Sequence, residues 1–364
     1  MEHFRMRLSS FFVLAGILGL LIGFQGCSND ETALTTPITQ APQDNTPDLR
    51  GTMVIQERYT PALMASPDVI GTAVTLGEDG QPAILLLVTS EKAVTRMPVD
   101  IDGVQVQVLL TDPIVAMRTT TPTVSHTAKQ TLPIQLGTSG GWRYDLANGY
   151  CCGGTLGSLI SVGGQKRILS NYHVFEADIV SGGNSRVATT GDYVMQPGLI
   201  DVSCNAADAQ NVATLVVSHS LPNSNVDAST ATIISGAVSS AILEIGTISS
   251  QTVAATVNQA VKKSGRTTGL TRSKVSGLNA TISVAYENEC AGGSAFTKTF
   301  TGQIIISNRA SKFLAGGDSG SLMVEDVTSN ARAVGLLFAG SSSTAIANPI
   351  NEVLGFFGAS MVGN

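Results

Sequence analysis

The sequence predicts an exported, mostly β protein in which an all-β main domain follows a small α+β segment. Three observations predict it. Short β-branched runs such as residues 212–217 and 301–307 are bounded by Gly, Asn and Ser clusters, the mark of strands separated by turns. Charged residues make up only 13% of the 364 and aromatics 5%, while glycine alone contributes 38. An apolar stretch, 11–24, follows Arg5 and Arg7; it is shorter than the ~20 residues of a membrane span but suits a secretory leader. The length allows two or three domains with buried cores. A net charge of −6 with no Lys/Arg block argues against nucleic acid as a partner. The chain has no Gly-rich phosphate cradle, no His-x-x-x-His pair and no Cys-x-x-Cys pair, so neither a metal nor another cofactor is expected.

The leader ends at Gly26-Cys27-Ser28. A cysteine straight after the apolar stretch resembles the bacterial lipobox, although Phe24 and Gln25 depart from that motif. The resemblance implies a signal peptide over 1–26, lipidation of Cys27 and a place in the bacterial cell envelope, periplasmic or surface-facing; without the anchor the protein would be secreted. Residues 27–50 are rich in Thr, Pro, Gln, Asn and Asp without apolar periodicity, a solvated tether. Residues 51–117 read as a small α+β domain: a helix around 56–65, then strands near 69–74, 83–88 and 104–108, with a turn at 78–81. It would serve as an inhibitory pro-domain, a targeting module or a spacer. A Thr/Pro-rich linker, 118–135, precedes the main domain at 136–364.

The chemistry-bearing run is Gly316-Gly317-Asp318-Ser319-Gly320-Ser321. A serine hydroxyl is a poor nucleophile unless a base takes its proton and donors await the oxyanion. Gly317 and Gly320 permit a tight turn that points successive amides into one concavity, and the amides of Gly317 and Ser319 are the expected donors. Of four histidines, His3 lies in the leader, His126 in the linker and His219 before a turn; His173, after the apolar run from Arg167, is the candidate base. Among the aspartates between base and nucleophile, Asp227 enters a stretch of small and apolar residues and is the candidate third partner, with Asp201 as its rival; Asp178 reads as surface.

These motifs resemble those of chymotrypsin-like serine peptidases, bacterial secreted type. Gly317-Asp318-Ser319-Gly320 is similar to that family's nucleophile turn, Ser170-Asn171-Tyr172-His173 to its histidine strand, and the order His, Asp, Ser to its chain order. Residues 152–160, 263–271 and 335–341 resemble further family strands, so the likeness covers about 137–364. It implies two Greek-key six-stranded β-barrels, about 136–250 and 251–364, with the site between them, and protein or peptide substrates. It also implies that Asp318 pairs with an internal cation, Arg266 or Lys263, and that Phe338, Ala339 and Gly340 lie on the strand that pairs with substrate. Phe313, six residues before Ser319, falls where trypsin-like members carry Asp, which implies an apolar or small preferred side chain; Lys312 keeps an acidic one open. No activation sequence is evident, which implies constitutive competence.

Export places Cys151, Cys152, Cys204 and Cys290 in an oxidising compartment, and at least one bridge is expected from the Cys151/Cys152 pair to Cys204 or Cys290.

Overall fold

The computed structural model describes residues 47–115, 125–147, 150–176, 187–286, 296–308 and 312–364. The leader, Cys27, most of the tether, Asp178 and Cys290 lie outside the described residues.

Helix α1 (Arg50–Met64) sets Ile55, Tyr59 and Leu63, four residues apart, against Ile84, Leu86 and Ile101. Beside that stripe runs a buried polar one, where the Gln56 side-chain amide donates to Thr72 Oγ1 at 2.7 Å. Strands β1 (Val69–Leu76) and β2 (Pro82–Val88) form an antiparallel hairpin across the expected turn. After the short helix α2 (Glu91–Val94) come β3 (Asp100–Ile101) and β4 (Val104–Leu110), and β2 pairs with β4 in parallel.

The first half of the main body contains β5 (Ile134–Leu136), β6 (Thr138–Trp142), β7 (Leu146–Ala147), β8 (Tyr150–Cys151), β9 (Gly154–Leu156), β10 (Ser158–Val162) and β11 (Gln165–Ser170). A single helical turn, α3 (Tyr172–Phe175), follows, then β12 (Tyr193–Gln196), β13 (Gln210–Val216), β14 (Ser229–Ile233) and β15 (Val238–Ile242). The main sheet runs β10-β11-β14-β13-β12-β6-β9. Only Gly157 separates β9 from β10, so the two are one bent strand and the sheet curls into a six-stranded barrel. The bend needs glycine: a Cβ there would lie 2.0 Å from the Gly320 carbonyl oxygen. Trp142, Leu159, Ile168, Phe175, Val212 and Leu215 fill this barrel's core.

The second half contains β16 (Ala260–Gly265), β17 (Gly269–Tyr286), β18 (Phe296–Ser307), β19 (Leu322–Glu325), β20 (Ala333–Gly340) and β21 (Thr344–Pro349), then α4 (Ile350–Phe357) and β22 (Ala359–Met361). Its order is β16-β19-β20-β21-β18-β17, and β16 also pairs with β17, which closes six strands into a ring. The sheet does not stop there. At 18 residues β17 is long enough to pair with β1 as well, with Gly71 opposite Ile282. The α+β segment, expected as a separate small domain, therefore continues the sheet of the second barrel, and residues 47–364 form one compact unit. β22 returns to the first barrel, where Met361 sits opposite Ile160.

A disulfide joins Cys151 in β8 to Cys204. No helix among the described residues is long and apolar enough to cross a membrane.

Candidate active site

The apolar run from Arg167 does not continue as a strand to Val174. β11 ends at Ser170, whose hydroxyl donates to the Thr155 carbonyl at 2.7 Å, and Asn171 stays extended before the turn of α3. Asp227 causes the change. Its backbone carbonyl accepts from the Asn171 side chain at 2.7 Å, and its Oδ1 accepts from the Tyr172 amide at 2.7 Å. The first turn of α3 is thus built on the carboxylate, which fixes His173 beside it. His173 Nδ1 and Asp227 Oδ2 are 2.6 Å apart.

Asp227 is fully buried, and among the described residues its carboxylate oxygens meet N–H and O–H donors and the Nδ1 atom of His173. Besides His173 and the Tyr172 amide, the Tyr286 hydroxyl donates to Oδ2 at 2.8 Å. The Asp227 backbone amide donates to Asn348 Oδ1 at 3.0 Å, and the Asn348 side-chain amide in turn donates to Gln303 Oε1 at 2.6 Å. Since an ionised carboxylate only accepts, Nδ1 of His173 carries the proton and Nε2 presents a lone pair. Burial, reinforced by the charge of Asp227, pushes the Tyr286 phenol well above its ordinary value, so it remains a donor. Its ring meets that of His173 edge-on at 5.9 Å.

Ser319 lies in a turn with two glycines in the left-handed region, Gly317 at φ +88° and Gly320 at φ +91°. Gly317 also has no room for a side chain: a Cβ would lie 2.5 Å from Thr267 Oγ1. Thr155 in β9 holds the turn against the first barrel. Its amide donates to the Ser319 carbonyl at 2.9 Å and its hydroxyl to the Gly317 carbonyl at 2.9 Å. Gly154 brings the serine and histidine segments together, since a Cβ there would strike both Val174 Cγ2 (2.6 Å) and the Ser319 carbonyl oxygen (3.0 Å). Among the described residues the Ser319 hydroxyl has no hydrogen bond to His173; it donates to the Phe338 carbonyl at 3.2 Å. The amides of Gly317 and Ser319 likewise donate to no acceptor among the described residues, whereas those of Asp318, Gly320 and Ser321 do.

The ion pair at Asp318 differs from the expectation drawn for Arg266. Asp318 is fully buried against Lys263, with Nζ 3.1 Å from Oδ2 and neither side chain exposed. Four further donors complete its shell: the amides of Ala315, Thr267 and Thr268, and the Thr268 hydroxyl. Burial holds the Lys263 ammonium below its usual range, against the opposing pull of Asp318. Arg266 points elsewhere: it lies past the end of β16, in the turn before β17, while Lys263 lies within the strand. Its guanidinium takes both oxygens of Asp201, at 2.7 and 2.5 Å. Asp201, the rival third partner, is therefore engaged by Arg266 and by Ser139 (2.5 Å) rather than by His173.

The expected substrate-side residues are all buried. Phe313 is fully buried in the second barrel with Val261, Val275, Ile304 and Met323; it is a core side chain rather than a pocket wall. Phe338 and Ala339 are also buried, and the Phe338 ring packs 4.9 Å from that of Phe300. Gly340 exchanges both backbone hydrogen bonds with Val115, each at 2.9 Å. His126, expected on a loose linker, is fully buried between the Gly137 carbonyl and Glu244, each at 2.7 Å. Sequence reasoning missed the roles of Tyr286 and Asn348, which stand in no recognisable motif, and that of Thr155, which lies in a strand it did single out. No group of side chains that could hold a metal occurs among the described residues.

No family model matches the chain, and no curated protein matches it. In structure it is similar to bacterial chymotrypsin-like serine proteases. Protease A of Thermobifida fusca is 20% identical, with 64% of this chain and 99% of that one covered and a TM-score of 0.42. A glutamic-acid-specific serine protease is 17% identical over 63% of this chain and all of its own, TM-score 0.40. A chymotrypsin of Cellulomonas bogoriensis is 20% identical over 58% of this chain and 91% of its own, TM-score 0.38.

Proposed function

We propose that this protein is a serine endopeptidase that works through His173, Asp227 and Ser319. The observation that carries the reading is the buried Asp227 carboxylate on Nδ1 of His173, which leaves Nε2 as a base beside the segment bearing Ser319. Rotation of the Ser319 side chain away from the Phe338 carbonyl turns its hydroxyl toward Nε2. The proton passes to Nε2 as Oγ attacks the peptide carbonyl, and the free amides of Gly317 and Ser319 take the oxyanion. The imidazolium, stabilised by Asp227, returns that proton to the leaving amine. Water then repeats the sequence on the acyl-enzyme, with His173 again as base. The buried Lys263–Asp318 pair would act by holding the turn in this shape without processing of the chain. Export, with lipid attachment at Cys27 and a place in the cell envelope, belongs to the same proposal.

One observation favours a second reading, an inactive peptidase-fold scaffold: the Ser319 hydroxyl is bonded to Phe338 rather than to His173. Pre-steady-state hydrolysis of p-nitrophenyl acetate separates the two. A peptidase gives a burst of about one nitrophenol per chain, absent in Ser319→Ala. A folded wild-type chain without a burst is the scaffold.

A further inference from the structure

The segment that follows β4 runs directly into the site. Val115 and Gly340 exchange both backbone hydrogen bonds in an antiparallel pair, N to O at 2.9 Å in each direction. On its other side the same segment meets the end of β17, where the Ala285 amide donates to the Ile114 carbonyl at 3.2 Å. Ile114 is 2% exposed and belongs to the apolar cluster that includes Tyr172, Leu221, Tyr286, Phe338 and Ala339. Polar contacts moor the approach: Thr111 Oγ1 lies 2.6 Å from Ser341 Oγ, and the Ser342 hydroxyl donates to Asp112 at 2.5 Å.

The position of Gly340 gives this pairing its meaning. β21 lies along one edge of β20, with Ala345 opposite Gly340. The other edge, past the last β19 pairing, carries the Phe338 carbonyl that touches Ser319, and two residues further on the N–H and C=O of Gly340. An extended peptide that reaches Ser319 by adding to this edge needs those two Gly340 groups, because strand addition is held by main-chain bonds. Val115 already has them.

We infer that Thr111–Val115 is an intramolecular occupant of the peptide-binding edge, so that substrate must displace it, and that the substrates this edge takes are extended peptides with a branched aliphatic residue in the place of Ile114. The inference rests on the proposed function, and it departs from the constitutive competence expected from the sequence. In antiparallel register the substrate residue opposite Gly340 corresponds to Val115, its neighbour toward the N-terminus fills the Ile114 pocket, and the residue two places on lies opposite Phe338, next to Ser319. The α+β sheet, continuous with β17, ties the occupant to the barrel and gives it a high effective concentration. It thus competes with free peptide through that local concentration as well as its own contacts, while a reagent too short to need Gly340 still reaches Ser319.

The test uses the full chain and two kinds of substrate: p-nitrophenyl acetate, and the p-nitroanilides acetyl-Ile-Val-Ala-Leu and acetyl-Ser-Val-Ala-Leu. Val115→Pro removes the N–H that bonds to Gly340; Ile114→Asp independently ejects the segment by placing a charge in the apolar pocket. The inference predicts that either variant, folded by circular dichroism, raises kcat/KM for the Ile anilide about tenfold or more, with the acetate burst unchanged. It also predicts that the vacated site prefers the Ile over the Ser anilide by about tenfold. Folded variants that keep the burst but show wild-type kcat/KM on the Ile anilide would overturn it, as would equal rates on the two anilides. Absence of an acetate burst in every form is a different failure: it removes the proposed function, and this inference with it.

Discussion

The Tyr286 hydroxyl donates to the same oxygen of Asp227 that takes the Nδ1 proton of His173, at 2.8 and 2.6 Å. Two donors on one buried oxygen fix its direction, and through it the plane of the imidazole. Tyr286→Phe should therefore retain the fold, cost about 1–3 kcal/mol in denaturant unfolding for the lost bond to a buried charge, and lower kcat more than it raises KM. A wild-type kcat would show that Tyr286 only packs.

The same hydroxyl makes stability depend on alkaline pH. Its folded-state value is raised, chiefly by burial, so below pH ~10 both folded and unfolded phenols hold their proton and its full contribution is present. Above pH ~10 the unfolded phenol ionises while the folded one does not. The folded state then binds more protons, and stability falls by about 1.4 kcal/mol per pH unit until the folded value is passed. Subtracting the Tyr286→Phe profile isolates this slope from Lys263, whose lowered value acts in the opposite direction. Parallel profiles for the two proteins between pH 9 and 11 would refute the assignment.

Lys263 and Arg266 should separate cleanly in double-mutant cycles. Lys263→Met leaves Asp318 charged and buried, and should cost about 3–5 kcal/mol with strong coupling to Asp318→Asn. Arg266→Met should couple to Asp201→Asn instead. Coupling of Arg266 with Asp318 would reinstate the Arg266 alternative drawn from the sequence.

Gly317→Ala meets two obstacles at once, a φ of +88° and a Cβ 2.5 Å from Thr267 Oγ1. The turn must distort, and the Gly317 amide moves with it. A fall in kcat of about 10²–10³ is expected, the range for losing one oxyanion donor. Full activity in Gly317→Ala would show that this amide does not face the reacting carbonyl.

The Cys151–Cys204 bridge spans 53 residues of the first barrel. Chain-entropy estimates for such a loop reach about 4 kcal/mol, so Cys204→Ser should lower stability by roughly 2–4 kcal/mol in denaturant titration. A change under 0.5 kcal/mol would mean that the unfolded chain is already constrained there.

Local requirements were legible in the sequence, while distant pairings outside the family-like motifs and the cysteines were not. The turn around Ser319 could be read from Gly317 and Gly320, because glycine adopts a backbone φ near +90° at little steric cost. The apolar runs of β1, β2 and β4 marked strands, but nothing in them showed that β17 would extend far enough to pair with β1. Lys263 and Arg266 differ by three positions and carry the same charge; only the face each presents decides which meets Asp318. Tyr286 lies 59 residues from the carboxylate it contacts, at the end of a long strand, without a motif around it. Val115 meets Gly340 across 225 positions of chain, a contact that only the closed second barrel and its appended sheet create.

The most direct measurement is intact-mass analysis after treatment with a fluorophosphonate, followed by peptide mapping of the adduct. The account predicts one adduct per wild-type chain, on Ser319, none on Ser319→Ala, and labelling slowed by about 10² or more in His173→Ala. A folded wild-type chain that takes up no label, or an adduct on any other residue, would contradict it.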